Sequence, residues 1–196
     1  MKYLFVCLLT GLVVTSSAQT RTQYKIGDSA FCGIVFHVEA LDTFGSQRVL
    51  VCSLKDQAAS IPWYNGQFVT TSAVNDVLFD RANAEQVISV QDTGNYAASV
   101  CKFFSLHIND SSCLIRDTLW YLPSLAELKL MYQNLDSTGK LNFANEGYWS
   151  SVEFTDSITP ARASKKAWIE DFFNGKSLPV NKSNKYHVRA IRAFNN

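Results

Sequence analysis

Most of the motifs that would announce an enzyme are missing from this chain. It has no glycine-rich phosphate loop, no H-E-x-x-H and no G-x-S-x-G, so nucleotide binding, zinc hydrolysis and serine-hydrolase chemistry have no local support. No C-x-x-C spacing occurs among its five cysteines, which argues against a thiolate metal site. The calcium-lectin signatures E-P-N, Q-P-D and W-N-D are absent as well, and no dense carboxylate cluster replaces them. No metal or cofactor is therefore expected. Only four prolines, nine glycines and no repeat are present, against 47% hydrophobic and 13% aromatic residues, which excludes a collagen-like or disordered chain. Beyond the amino terminus no apolar run is long enough to cross a bilayer.

That one apolar run is at the start. Lys2 gives a positive beginning, Tyr3 to Val14 are mostly apolar, and Thr15, Ser16, Ser17 and Ala18 are small, which reads as a cleavable secretory signal over residues 1–18. About a dozen apolar residues are too few for a membrane anchor, which needs about 20. Cys7 lies inside the run and not directly after it, so it does not read as a lipid-attachment site. The expectation is a single exported domain over 19–196, secreted or periplasmic, with no transmembrane anchor.

Without the leader, 17 basic residues face 17 acidic ones, and bulk charge predicts no nucleic-acid partner. The distribution is uneven: residues 155–196 hold 8 basic and 3 acidic side chains. Clustered lysine and arginine raise the local concentration of polyanions, although a solvated face has the same composition. Four cysteines remain, Cys32, Cys52, Cys101 and Cys113, an even number that suits two disulfides in an oxidising compartment. Of the three connectivities, Cys32 with Cys52 across a hairpin and Cys101 with Cys113 around a short loop are the expected pairs. Buried free thiols are the alternative.

Along the chain, Phe31 to Ala40 and Arg48 to Leu54 read as a β-hairpin with a long connection. Short helices are expected between Ser72 and Val90 and over Ala97 to Leu106. Ser124 to Leu135 gives the clearest local signal. Ser124 and Glu127 form an S-x-x-E capping box after Pro123, Leu125, Leu128, Tyr132 and Leu135 share a helical face, and Gly139 supplies the stop. Three later runs, 147–154, 167–173 and 186–194, have strand composition, separated by turn formers that include Gly175, Pro179 and Asn181. In the last run Tyr186, Val188, Ala190, Arg192 and Phe194 alternate with His187, Arg189, Ile191 and Ala193. Helices early and strands late predict an α+β fold with a small antiparallel sheet.

Several segments in order resemble one family. WYLPSLAEL at 120–128, GYWSSVEF at 147–154, AWIEDFFNGK at 167–176 and KYHVRAIRAF at 185–194 are similar to the C-terminal domain of the Legionella collagen-like protein. The upstream YKIGD at 24–28, FCGIVFHVEA at 31–40, DQAASIPWYNG at 56–66 and NYAASVC at 95–101 resemble its longer secreted members. The resemblance implies a C-type-lectin-like fold related to the formylglycine-generating group. It also implies an exported, often surface-associated bacterial protein, with adhesion to glycosaminoglycan attributed to the collagen-like member. Two departures stand out: Cys32 occupies a place where the family commonly has glycine, and the stretch 107–118 is longer and more polar. No Gly-x-y stalk is present, so multivalent adhesion does not carry over.

These readings favour a non-catalytic binding module over an enzyme. His37, His107 and His187 lack tight spacing, and Glu170 and Asp171 are adjacent, so in a strand they point to opposite faces. Trp120, Trp149 and Trp168 read as core. For an extracellular glycan or anionic polysaccharide, Trp63, Tyr64 and Asn65 form a candidate aromatic loop. Arg162, Lys165, Lys166, Lys182, Lys185 and Arg189 supply the cations. The alternatives are a structural envelope component that binds another protein and, less favoured, an enzyme related to the formylglycine-generating fold.

Overall fold

The apolar run after Gly33 and the one after Arg48 pair as predicted. In the computed structural model, which describes residues 22–39, 43, 45–79, 81–104, 119–155 and 164–196, β2 (Gly33–Val38) and β3 (Arg48–Ser53) form an antiparallel hairpin. The leader, His107, Cys113 and Arg162 lie outside the described residues. β1 (Ser29–Ala30) folds back on β2 through Phe31 and Cys32, both in the left-handed region with φ of 46° and 64°. Glycine adopts that conformation more readily than any other residue.

The remaining elements follow in order: β4 (Ala58–Pro62), α1 (Ala82–Gln91), α2 (Ala97–Lys102), α3 (Leu125–Met131), β5 (Gly147–Glu153), β6 (Lys166–Asp171), β7 (Lys176–Asn181), β8 (Lys185–Val188) and β9 (Ile191–Asn195). They build two sheets, of order β1-β2-β3-β9 and β4-β8-β5-β6-β7, so the protein is α+β with sheet predominating. All pairings are antiparallel except β5 with β8. Among the described residues no helix is long and apolar enough to cross a membrane.

Two expectations are corrected here. The run 186–194 is not one strand: it breaks at Arg189 and Ala190, leaving β8 in the five-stranded sheet and β9 in the four-stranded one. Ala190 and Ile191 are consequently both buried, against simple alternation. The presumed turn segment after Gly175 is instead strand β7. It tolerates Pro179 because β7 is the outer strand of its sheet, where a lost amide donor is least costly.

α3 forms as its sequence dictates. The Ser124 hydroxyl accepts from the Glu127 amide at 3.2 Å, and the Glu127 carboxylate accepts from the Ser124 amide at 2.8 Å. Past Met131 the helix widens into a π-helical turn, Tyr132–Asp136, and Gly139 with φ of 67° ends it. Leu128, Met131 and Leu135 face the interior, where they join the buried residues of both sheets, and Leu125 is buried beside them in the first turn.

The expected cysteine pairings are not formed. Cys52 and Cys101 are free thiols. Cys52 sits opposite Ile34 in the β2–β3 ladder, and Cys101 lies on the buried side of α2. Burial pushes the Cys52 thiol up to about 12 and the Cys101 thiol well above its ordinary value. Cys32 is disulfide-bonded, to neither of these two.

Candidate binding face and the ion clusters behind it

The loop that follows β4 has a buried side and an outer side. Trp63 begins it and is wholly buried. Its indole N–H donates to the Ser150 carbonyl at 2.8 Å and its amide to the Lys182 carbonyl at 3.0 Å. Trp63 is therefore a core residue and offers no ring to a sugar. A large indole buries much apolar area once its single donor is satisfied, which decides the matter. Trp149 is held the same way, with its N–H on the Ile61 carbonyl at 2.8 Å, and Trp120 is buried while Trp168 is half-buried.

Lys182 is also interior. Its ammonium bonds the Glu153 carboxylate, donates to the Val69 carbonyl at 3.2 Å and lies 4.5 Å from the Trp63 ring centre. The second Glu153 oxygen accepts from the Thr71 amide at 2.9 Å, the Thr71 hydroxyl at 3.0 Å and the Ser72 amide at 3.1 Å. Burial lowers the Lys182 ammonium below its ordinary value, with Glu153 opposing the shift. Lys182 thus belongs to the scaffold under the loop and not to a basic surface.

Arg189 is likewise enclosed. Its Nε–H donates to Asp56 Oδ1 at 2.5 Å, another N–H reaches the Ser53 carbonyl at 2.9 Å, and the guanidinium stacks 4.5 Å from the Phe143 ring. Asp56 Oδ2 also receives the Tyr148 hydroxyl at 3.0 Å and lies 2.8 Å from His187 Nδ1. On its far side His187 Nε2 is 3.4 Å from Glu146. Sequence spacing gave no hint of this cluster, because Asp56 and His187 are 131 residues apart. The carboxylate orients the imidazole, and the described partner of Nε2 is the Glu146 carboxylate.

The outer side of the loop gathers the other nominated residues. Tyr64 stacks on Phe68 with centroids 4.8 Å apart and planes 28° apart, and Lys165 Nζ stands 5.8 Å over the Phe68 ring. Beside it Lys166 Nζ lies 5.9 Å over Phe154, which meets Trp168 edge-on at 5.5 Å. The Lys182 amide donates to the Lys165 carbonyl at 2.8 Å, so β6 begins directly against the buried ion pair. Lys185, opposite Pro62 in the β4–β8 pair, is exposed on a neighbouring strand.

Asn65 has a positioning role. Its amide nitrogen donates to Gln91 Oε1, and its side-chain nitrogen donates to the Gln91 and Thr93 carbonyls, pinning the loop to the end of α1. Gly94 makes this approach possible, since a Cβ there would stand 2.1 Å from Asn65 Oδ1. Of the predicted binding residues, the structure groups Tyr64 and Lys165 with Phe68, sets the next residue, Lys166, over Phe154, and withdraws Trp63, Lys182 and Arg189 into the interior. Phe68 lies near Trp63 and Tyr64 in sequence, but only the fold shows the stack.

No family profile and no curated protein matches the chain. Among the described residues no group of three or more histidine, cysteine, aspartate or glutamate side chains is placed to hold a metal.

Proposed function

We propose that the protein is an exported, non-catalytic binding module of C-type-lectin-like fold that takes anionic glycan on the face built by Tyr64, Phe68 and Lys165, with Lys166 the next cation along the chain. The carrying observation is the stacked Tyr64–Phe68 pair with a lysine ammonium over it. Aromatic faces suit the C–H faces of sugar rings, and ammonium groups pair with sulfate or carboxylate. Glu153 beneath the loop is neutralised internally by Lys182, so it does not offset the exposed lysines.

A glycan array probed with the mature chain at low and moderate salt tests this reading. Binding to sulfated glycans that weakens as salt rises is expected, because exposed charge pairs are screened beyond about 8 to 10 Å. Binding to no glycan at all sinks the proposal. A second reading, an envelope component with a protein partner, is favoured by Phe173, 71% exposed in the β6–β7 turn, and by Leu178 on the outer strand. Under that reading Phe173→Ser weakens capture of the partner while glycan arrays stay blank.

A further inference from the structure

A cavity lies between α1, α2 and the segment that carries Trp120 and Tyr121, and none of its lining residues belongs to that face. Its volume is about 370 Å³, near the lower end of small-molecule sites. Ala84 on α1 and Ala98 on α2 form its walls, and their single methyl groups leave open the space that larger core residues would fill. Ile88 and the rings of Trp120 and Tyr121 complete an apolar floor. The Tyr121 hydroxyl donates to Glu127 at 2.8 Å, so this side chain presents its ring to the cavity and commits its polar end elsewhere.

The polar groups at the mouth are mainly donors. Arg81 holds Glu85 through Nε at 2.8 Å and keeps the remaining guanidinium N–H groups. Ser89 commits its hydroxyl to the Gln86 carbonyl at 2.8 Å. Lys102, exposed on the last turn of α2, makes no ion pair among the described residues. Among the described lining residues, two cations stand against one carboxylate, above an apolar, aromatic floor.

We propose that this cavity binds a small amphipathic anion, an aromatic or aliphatic body bearing one carboxylate, sulfonate or phosphate. The body covers Trp120 and Tyr121 between the two alanines, and the anionic group meets Lys102 and Arg81. The site is independent of the glycan face and requires nothing of it.

Anilinonaphthalene sulfonate is a suitable probe, with uncharged anilinonaphthalene as its control, titrated into the full mature chain. One equivalent of the sulfonate is expected to bind with enhanced fluorescence. Ser89→Trp, an exposed position at the mouth, fills the opening and abolishes that signal with the thermal midpoint unchanged. Lys102→Glu weakens the sulfonate by about fivefold or more and leaves the uncharged control unaffected, as loss of roughly 1 kcal/mol of charge attraction requires. Absence of binding, a sulfonate signal that survives Ser89→Trp, or equal binding of both probes to the parent and the Lys102→Glu chain would each overturn the proposal.

Discussion

Two carboxylate clusters flank strand β8, and they solve the same problem differently. Before the strand, Glu153 and Lys182 have fully buried side chains, and four donors satisfy the carboxylate. After the strand, Asp56 meets Arg189, His187 and Tyr148, but its side chain keeps 17% of its surface and Glu146 beyond it is largely in water. Removing an ion from water costs several kcal/mol, so the inner pair is retained only because each partner and the loop amides compensate the other. That compensation has a structural product. Ser72 stands at φ 56°, a conformation uncommon outside glycine, and Glu153 holds its amide there. The inner cluster fixes the inside of the loop after β4, whereas the outer one joins the two sheets where the chain passes from β8 to β9.

The contrast makes Lys182→Met the most damaging single change. It strands the Glu153 carboxylate in the interior and is expected to cost about 3 to 5 kcal/mol in denaturant unfolding. Adding Glu153→Gln recovers part of this, since the uncompensated charge is gone while the Thr71 and Ser72 amides keep one acceptor. A loss below about 1 kcal/mol for Lys182→Met would show that water reaches the pair and would erase the distinction between the clusters.

Glu127 is another buried carboxylate and, among the described residues, pairs with no cation, only with the Phe79 and Ser124 amides and the Tyr121 hydroxyl. Burial, partly offset by those donors, pushes its carboxyl up from 4.5 to about 7. The folded state therefore binds this proton more tightly than the unfolded chain does. The resulting stability is fully present below about 4.5 and is lost as pH rises towards about 7, a contribution of roughly 3 kcal/mol. Thermal midpoints measured over that window should show this decline in the parent and a flatter profile in Glu127→Gln. Identical profiles would mean that the three donors outweigh burial.

Asp56→Asn should be milder than Lys182→Met, at roughly 2 kcal/mol, because water can reach the groups it leaves behind. Equal losses for the two variants, measured in one denaturant series, would mean that the outer cluster is as dry as the inner.

What the sequence made legible follows the range of the forces involved. α3 was readable because its capping box and apolar face lie within a dozen residues. The β2–β3 hairpin was readable because its two runs are neighbours. The division of 186–194 between two sheets was not, since Ala190 and Ile191 carry no local mark of a break and the reason lies in partners at 53, 57 and 121. β7 was hidden by Pro179, whose missing donor is tolerated only on an outer strand. At the candidate site, residue type singled out Lys165, Lys166 and Tyr64, which keep exposed surface. It misassigned Lys182 and Arg189 because a buried cation and an exposed one look alike until the carboxylates 29 and 133 residues away are placed beside them.

The smallest expected stability effect belongs to the two exposed lysines at the start of β6. Lys165 and Lys166 touch only ring faces at nearly 6 Å and make no ion pair among the described residues. Replacing both with glutamine should change unfolding by no more than about 0.5 kcal/mol. Affinity for a sulfated glycan at low salt should nevertheless fall by about tenfold, as loss of roughly 1.4 kcal/mol of charge pairing requires, and the salt dependence should flatten. Lys182→Met would reverse that pattern, with a large loss of stability. Any loss of binding it caused would follow from disorder in the Tyr64–Phe68 loop, so it should persist at low salt, where charge pairing is strongest. Titrating both variants across salt separates a cation that meets the ligand from one that holds the loop in place.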